Sequence, residues 1–166
     1  MPHNLLKVYN ALLELDALSE KQRISSLKGV FNRDVVPGLI FNKKIIKPTT
    51  ADGEDSMERL FRHLTTVITD HSINKRKYDR SRSIRLHWLK YHILENKKEN
   101  MYIFSVKEPA GNRTYIYDKE EEYVIVLEPL RNVDEYYLLT AYHIEGKDAA
   151  RDKMMKKYKR RLPDIL

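Results

Sequence analysis

The chain predicts an α+β fold: N-terminal helices, then a four-stranded antiparallel sheet, then a basic C-terminal helix. Three observations predict it. Apolar residues recur at helical spacing in several blocks before residue 96. From Met101 the pattern changes to short runs rich in Tyr, Ile, Val and Thr, separated by turn residues. After Gly146 cations dominate, with seven Lys or Arg against one Asp between residues 151 and 161.

Taken in order, Leu5, Leu6, Val8, Tyr9, Leu12, Leu13 and Leu15 predict a short amphipathic helix within residues 4–15. Ser19 with Gln22 reads as a capping box, opening a second helix that buries Ile24, Leu27, Val30 and Phe31. Pro37-Gly38 breaks the chain, so residues 1–36 are expected to form a helical layer or arm beside a unit of residues 37–166. Residues 39–47 read as a short strand with a basic centre. Asp55 with Glu58 makes a second capping box for a helix over 56–69, with Met57, Leu60, Phe61, Leu64, Val67 and Ile68 on its core face. A lone His63 on that helix is more often structural than catalytic. Residues 70–79 read as a polar linker carrying Lys75-Arg76-Lys77.

The next segment, 81–95, holds the only Trp and is expected to be a central helix. At 100° per residue Ile84, Trp88 and Tyr91 share one stripe while Leu86, Leu89 and Ile93 lie elsewhere, and a helix apolar on several sides is buried. Its Arg and His residues then need partners, or they line a cleft and await an anion, because unpaired buried charge is expensive. Strands are expected over 101–106, 113–118, 123–128 and 136–145, joined as a meander, with Val124-Ile125-Val126-Leu127 central. A terminal helix over 148–160 starts with Asp148 and Asp152 and ends in cations, matching the helix macrodipole.

The 166 residues carry a net charge of +7, which favours polyanionic partners: RNA, DNA or an acidic protein. Without Cys there is no disulfide framework and no thiolate metal site, and no His pair has HExxH spacing. The sequence has no Gly-rich phosphate loop and no GxSxG elbow. No metal and no cofactor are expected. No apolar run has the length of a membrane span and no signal-peptide pattern opens the chain, so the expected location is cytoplasmic, with no membrane partner. What remains is His, Arg, Lys, Thr and Tyr in a basic setting. Metal-free RNA cleavage uses such a set: a base takes the ribose 2′-OH proton, cations stabilise the phosphorane, and an acid protonates the leaving 5′-oxygen.

Four segments carry a resemblance. They are Asp79-Arg80-Ser81-Arg82-Ser83-Ile84-Arg85-Leu86-His87-Trp88, Arg113-Thr114-Tyr115, Tyr123-Val124-Ile125-Val126-Leu127-Glu128 and Tyr137-Leu138-Leu139-Thr140-Ala141-Tyr142. Together they resemble the barnase–EndoU–colicin–RelE nuclease superfamily, in its phage- and mobile-element-associated branch, over about residues 37–160. The resemblance implies helices before a four-stranded antiparallel sheet and metal-independent endoribonuclease activity leaving a 2′,3′-cyclic phosphate. It also implies a toxin or effector role, with an antitoxin or immunity protein as partner. Carried onto this chain, it implicates Arg82, Arg85, His87, Arg113, Thr140 and Tyr142 in catalysis.

Geometry qualifies that set. Thr140 and Tyr142 are two apart and share a sheet face, whereas His87 and Arg85 fall on different helix faces, so His92, which lies on the Arg85 side, rivals His87. Plainer roles stand beside these: Arg82 and Arg85 paired with Glu128, Asp118 or Glu145, Thr140 in a strand hydrogen bond, Tyr142 in the core. Single-stranded or structured RNA is expected to meet Lys75, Arg76 and Lys77, the basic tail at Lys156, Lys157 and Arg160, and Tyr115 and Tyr117 as stacking surfaces. The competing classes are a nucleic-acid-binding module that cleaves nothing and a protein-interaction module docking on an acidic partner.

Overall fold

Ser19 caps as its spacing predicts. Its Oγ accepts from the Gln22 N–H at 3.2 Å while Gln22 Oε1 accepts from the Ser19 N–H at 3.0 Å, and helix α1 runs Glu20–Asp34. The computed structural model describes residues 2–146 and 152–166, so Asp148 and Arg151 of the expected terminal helix lie outside the described residues. The helix expected over 4–15 is instead a single 3-10 turn, Pro2–Leu6, followed by irregular chain. Asn4 is the physical reason. Fully buried, it donates to Glu14 O at 3.0 Å and Ser26 Oγ at 2.8 Å and accepts from the Glu14 N–H at 2.9 Å. Such bonds offer the backbone an alternative to the helix.

Residues 39–47 form a hairpin rather than one strand: β1, Leu39–Phe41, and β2, Lys44–Pro48. Asn42 and Lys43 both take positive φ, 51° and 64°, as a two-residue type I′ turn requires. Helix α2 is Ser56–Thr65, capped by Asp55 accepting from the Glu58 N–H at 3.0 Å. It stops four residues before the predicted end at 69. The β-branched run Thr65-Thr66-Val67-Ile68-Thr69 disfavours helix and favours strand. The polar linker is therefore half of a second hairpin, β3 (Thr66–Asp70) with β4 (Lys75–Tyr78), a separate two-stranded sheet.

The expected central helix is broken. Helix α3 is one turn, Arg80–Ser83, and α4 spans Trp88–Ile93. Between them Ile84 O is taken by the Leu13 N–H at 2.9 Å, and the local bonds are i to i+3: Arg85 to Arg82, Leu86 to Ser83, Trp88 to Arg85. An angular step of 100° per residue does not hold across this junction, so the faces predicted for His87 and Arg85 do not hold either.

Strands β5 (Met101–Glu108), β6 (Gly111–Asp118), β7 (Tyr123–Pro129) and β8 (Glu135–His143) form the expected antiparallel meander. The sheet is nevertheless six-stranded and mixed. Its order is β1-β2-β8-β7-β6-β5, with β2 parallel to β8. The four-stranded, purely antiparallel expectation is corrected because the short β1–β2 hairpin adds itself to the β8 edge.

One sheet face packs on α1, α2, α4 and the N-terminal segment through Leu27, Phe31, Leu64, Trp88, Ile125 and Leu138, among others. The other face buries Phe104, Tyr115, Tyr117 and Val124 beneath helix α5, Lys153–Lys159, through Met154. Burial on both faces explains why β7 reads as a continuous apolar run. A polar network joins the layers. Asp118, fully buried, accepts from Tyr9 Oη at 2.7 Å, Lys97 Nζ at 2.7 Å and His92 Nε2 at 2.8 Å.

Candidate functional site

Strand β2 accompanies β8 only as far as Leu138. Beyond that point α2, α3 and the β3–β4 hairpin close around the edge that β2 leaves open. At the same place β8 carries a bulge: Leu138 pairs with Leu127 and Thr140 with Val126, leaving Leu139 as the extra residue. Leu138 stays in the main core, while Thr140 and Tyr142 take the opposite face with Val126 and Val124.

Arg82 reaches Thr140 from α3. Its Nη1 donates to Thr140 Oγ1 at 2.9 Å and to the His63 carbonyl at 3.0 Å. Its Nε lies 3.3 Å from Asp79 Oδ2, and its guanidinium stands 5.9 Å from the Tyr142 ring centre. The Arg82 ion pair is thus with Asp79, none of the three acids considered from sequence. His63 presents its ring to a cleft with two adjoining hollows that share His63, Ile68 and Arg76. The hollow on the β8 side, inner with respect to the sheet, is about 360 Å³ and adds Arg82, Thr140 and His71. The outer one, about 430 Å³, adds Arg59, Arg62, Asn74 and Glu54.

The electrostatics are one-sided. Four guanidiniums, of Arg59, Arg62, Arg76 and Arg82, face the carboxylates of Glu54 and Asp79. Arg76 donates to Thr66 Oγ1 at 2.7 Å and Thr66 O at 2.9 Å, with no carboxylate partner among the described residues. Burial lowers the pKa of Arg76 and of Arg82, yet guanidinium stays charged at any physiological pH. Burial, then the positive charges of Arg76, Arg59 and Arg62, push His63 down to about 4. Its imidazole is neutral at pH 7, a proton acceptor set among cations. The arrangement suits an anion, whose charge offsets the cations that depress the imidazole and so restores part of its basicity.

The structure brings Arg76, Arg82, Thr140 and Tyr142 together and sends other expected site residues elsewhere. His87 is not in the cleft. It is 5% exposed beneath the N-terminal segment, its Nε2 donating to Ala11 O at 2.8 Å, and burial lowers its pKa. The rival His92 is 1% exposed, and its ring nitrogens are held against Trp88 O and Asp118 Oδ2, each at 2.8 Å, away from the cleft. Arg85 folds back on its own turn, Nη1 donating to Ser81 O at 2.8 Å and Oγ at 3.1 Å, over the Trp88 ring. Arg113 lies on β6, two strands from Thr140, with Glu128 at 3.9 Å.

Tyr115 and Tyr117 do not offer stacking surfaces, because α5 covers them. Burial raises both phenols, Tyr117 to about 12, and Tyr115 Oη donates to Glu108 at 2.8 Å. The same carboxylate binds Lys157 and, at 3.1 Å, Arg160, while Lys156 is exposed. Burial pushes the Glu108 carboxyl up, but the bonds from Lys157, Tyr115 and Arg160 outweigh it and hold the group at about 2. Lys75 and Lys77 are exposed on the hairpin and Arg76 alternates inward.

His63, Arg59 and Arg62 were not expected in the site. Their spacing on α2 places them opposite Leu60, Phe61 and Leu64, a signal present in the sequence that also fits a solvated face. No group of three or more His, Cys, Asp or Glu among the described residues is arranged to hold a metal ion, and no described helix is long and apolar enough to cross a membrane. Compared with known protein families, with curated proteins and with solved structures, the chain matches none.

Proposed function

We propose that this chain is a metal-independent endoribonuclease whose reaction takes place in the inner hollow of the cleft. The observation that carries the reading is the neutral His63 imidazole beside the Arg82–Thr140 unit, where guanidiniums outnumber carboxylates. His63 takes the proton of the ribose 2′-OH. The 2′-oxygen attacks phosphorus, the P–O5′ bond breaks, and a 2′,3′-cyclic phosphate remains. Arg82 and Arg76 stabilise the charge of the phosphorane. Thr140 Oγ1 accepts from Arg82, which leaves its own O–H to donate to a phosphate oxygen. His71, which also lines the inner hollow, protonates the leaving 5′-oxygen.

In this reading His63 and His71 take the acid–base work expected of His87. The resemblance of the Arg82 and Thr140 segments to the nuclease superfamily supports the same chemistry. It adds an RNA-cleaving toxin or effector of a mobile element, acting in the cytoplasm and restrained by a neutralising protein. The deciding experiment incubates the purified chain with RNA in EDTA and identifies the end groups. Cleavage leaving cyclic phosphate, absent when the attacked ribose is 2′-deoxy, is the expected result. Tight binding of RNA that stays intact would replace the enzyme with a binding module.

A further inference from the structure

The outer hollow contains an anion supplied by the chain itself. Glu54 Oε2 accepts from Arg59 Nη1 at 3.0 Å and lies 3.1 Å from Arg62 Nη2. One carboxylate oxygen thus takes donors from two guanidiniums, the contact these groups make with phosphate. Two of the three cations are also held independently of it. Arg59 Nε also donates to Thr49 Oγ1 at 3.0 Å, and Arg76 is anchored twice on Thr66. Glu54 itself is exposed, in the loop just before the α2 cap. A single negative charge therefore sits on a surface loop against three anchored or helix-borne positive ones. Arg76 joins the outer hollow to the inner one, so an anion in the first adjoins the group reacting in the second.

We propose that the outer hollow is a second phosphate subsite, which takes the RNA phosphodiester next to the scissile one, and that the Glu54 carboxylate occupies it until the chain binds. The proposal rests on the ribonuclease reading for the identity of the neighbouring group. Removing the carboxylate frees Arg59 and Arg62 without disturbing the Thr49 and Thr66 anchors. The lowered pKa of Glu54, caused first by its bond from Arg59, fits a carboxylate already in an anion's place.

The test uses the full chain and two readouts. In the first, a single-stranded oligonucleotide carrying 2′-deoxyribose throughout, which cannot be cleaved, is titrated by fluorescence anisotropy at several salt concentrations. Glu54→Ala and the isosteric Glu54→Gln both bind it roughly 2–5-fold more tightly, the range of one partly exposed ion pair. They also steepen the log–log salt slope by about 0.7, one added single-strand phosphate contact. Unchanged or weaker binding by both variants, at unchanged thermal stability, would overturn the subsite. In the second, kcat/KM is compared for a dinucleotide with one phosphate and a trinucleotide with a flanking phosphate. The native protein prefers the trinucleotide, and the double variant Arg59→Gln/Arg62→Gln moves that ratio toward one. A ratio that stays put contradicts the proposal. If neither substrate is cleaved, the ribonuclease reading fails and the anisotropy experiment still decides the subsite.

Discussion

Substituting His63 and His87 separates catalysis from folding. At His63 the fold relies on the backbone carbonyl that receives Arg82, which His63→Gln retains, so stability changes by less than about 1 kcal/mol. Turnover of RNA falls by about 10²–10⁴-fold, the contribution of a positioned acid or base. His87→Ala does the opposite. It removes a buried bond to Ala11 O, about 0.5–1.5 kcal/mol, and the contacts of a ring buried beneath the N-terminal segment. The sum is about 2–5 kcal/mol, or 4–20 °C in Tm for a chain of this length. Activity per folded molecule is unchanged. The assay pairs urea unfolding with single-turnover cleavage at a temperature where both variants are folded. A His87→Ala protein that is stable but inactive, beside an active His63→Gln protein, would refute the placement of the chemistry in the cleft.

The depressed His63 pKa sets a pH window. Between 6.5 and about 4 the unfolded chain binds a proton at this residue that the folded chain refuses, so its contribution to stability is complete above 6.5 and is lost as pH falls through 4. The urea midpoint therefore drops across that window, and less so in His63→Gln. The acid limb of kcat/KM, which reports the free enzyme, lies near pH 4 and moves toward 6.5 in Arg76→Gln, where a positive neighbour is gone. Trp88 is 2% exposed and donates to Ala11 O at 3.2 Å, so Trp88→Ala costs about 3–5 kcal/mol in the same unfolding assay, and a smaller loss would contradict its place in the core. For salt-dependent binding, Lys75→Gln and Lys77→Gln each lower the slope by about 0.7, whereas Lys157→Gln, already engaged with Glu108, leaves it unchanged.

The parts of the fold that could be read from sequence are those decided by neighbours in the chain. The Ser19–Gln22 box, the Asp55 cap and the runs of β5 to β8, rich in Tyr, Ile, Val and Thr between turn residues, depend on residues a few positions apart. The parts that could not be read depend on distant partners. Asn4 unmakes a helix because Glu14 and Ser26 are there to receive it. The central helix breaks because Leu13 takes the carbonyl of Ile84. In the site, Arg82 and Thr140 were visible as residue types in suggestive segments, and the structure joins them through one hydrogen bond. His87 lies outside the cleft because the helical face assigned to it assumed an unbroken helix. The polar face of α2 was plain in the spacing of Arg59, Arg62 and His63, but nothing local says that a hairpin and a strand edge will stand opposite it.

The Leu139 bulge shows why a site of this kind escapes a local reading. In a regular strand Leu138, Thr140 and Tyr142 would share one face, and Leu138 lies in the main core. Two hydroxyl-bearing side chains would then be driven among apolar groups, where an unpaired hydroxyl is costly. One added residue resolves the conflict. Tyr136, Leu138 and Ala141 serve the main core, while Thr140 and Tyr142 turn to the other face and meet Arg82 where β2 has already left. The edge that β2 abandons needs partners for its exposed polar groups. Here the elements that crowd against it bring cations, and the need to cover an edge becomes the means of building a cleft lined by guanidiniums.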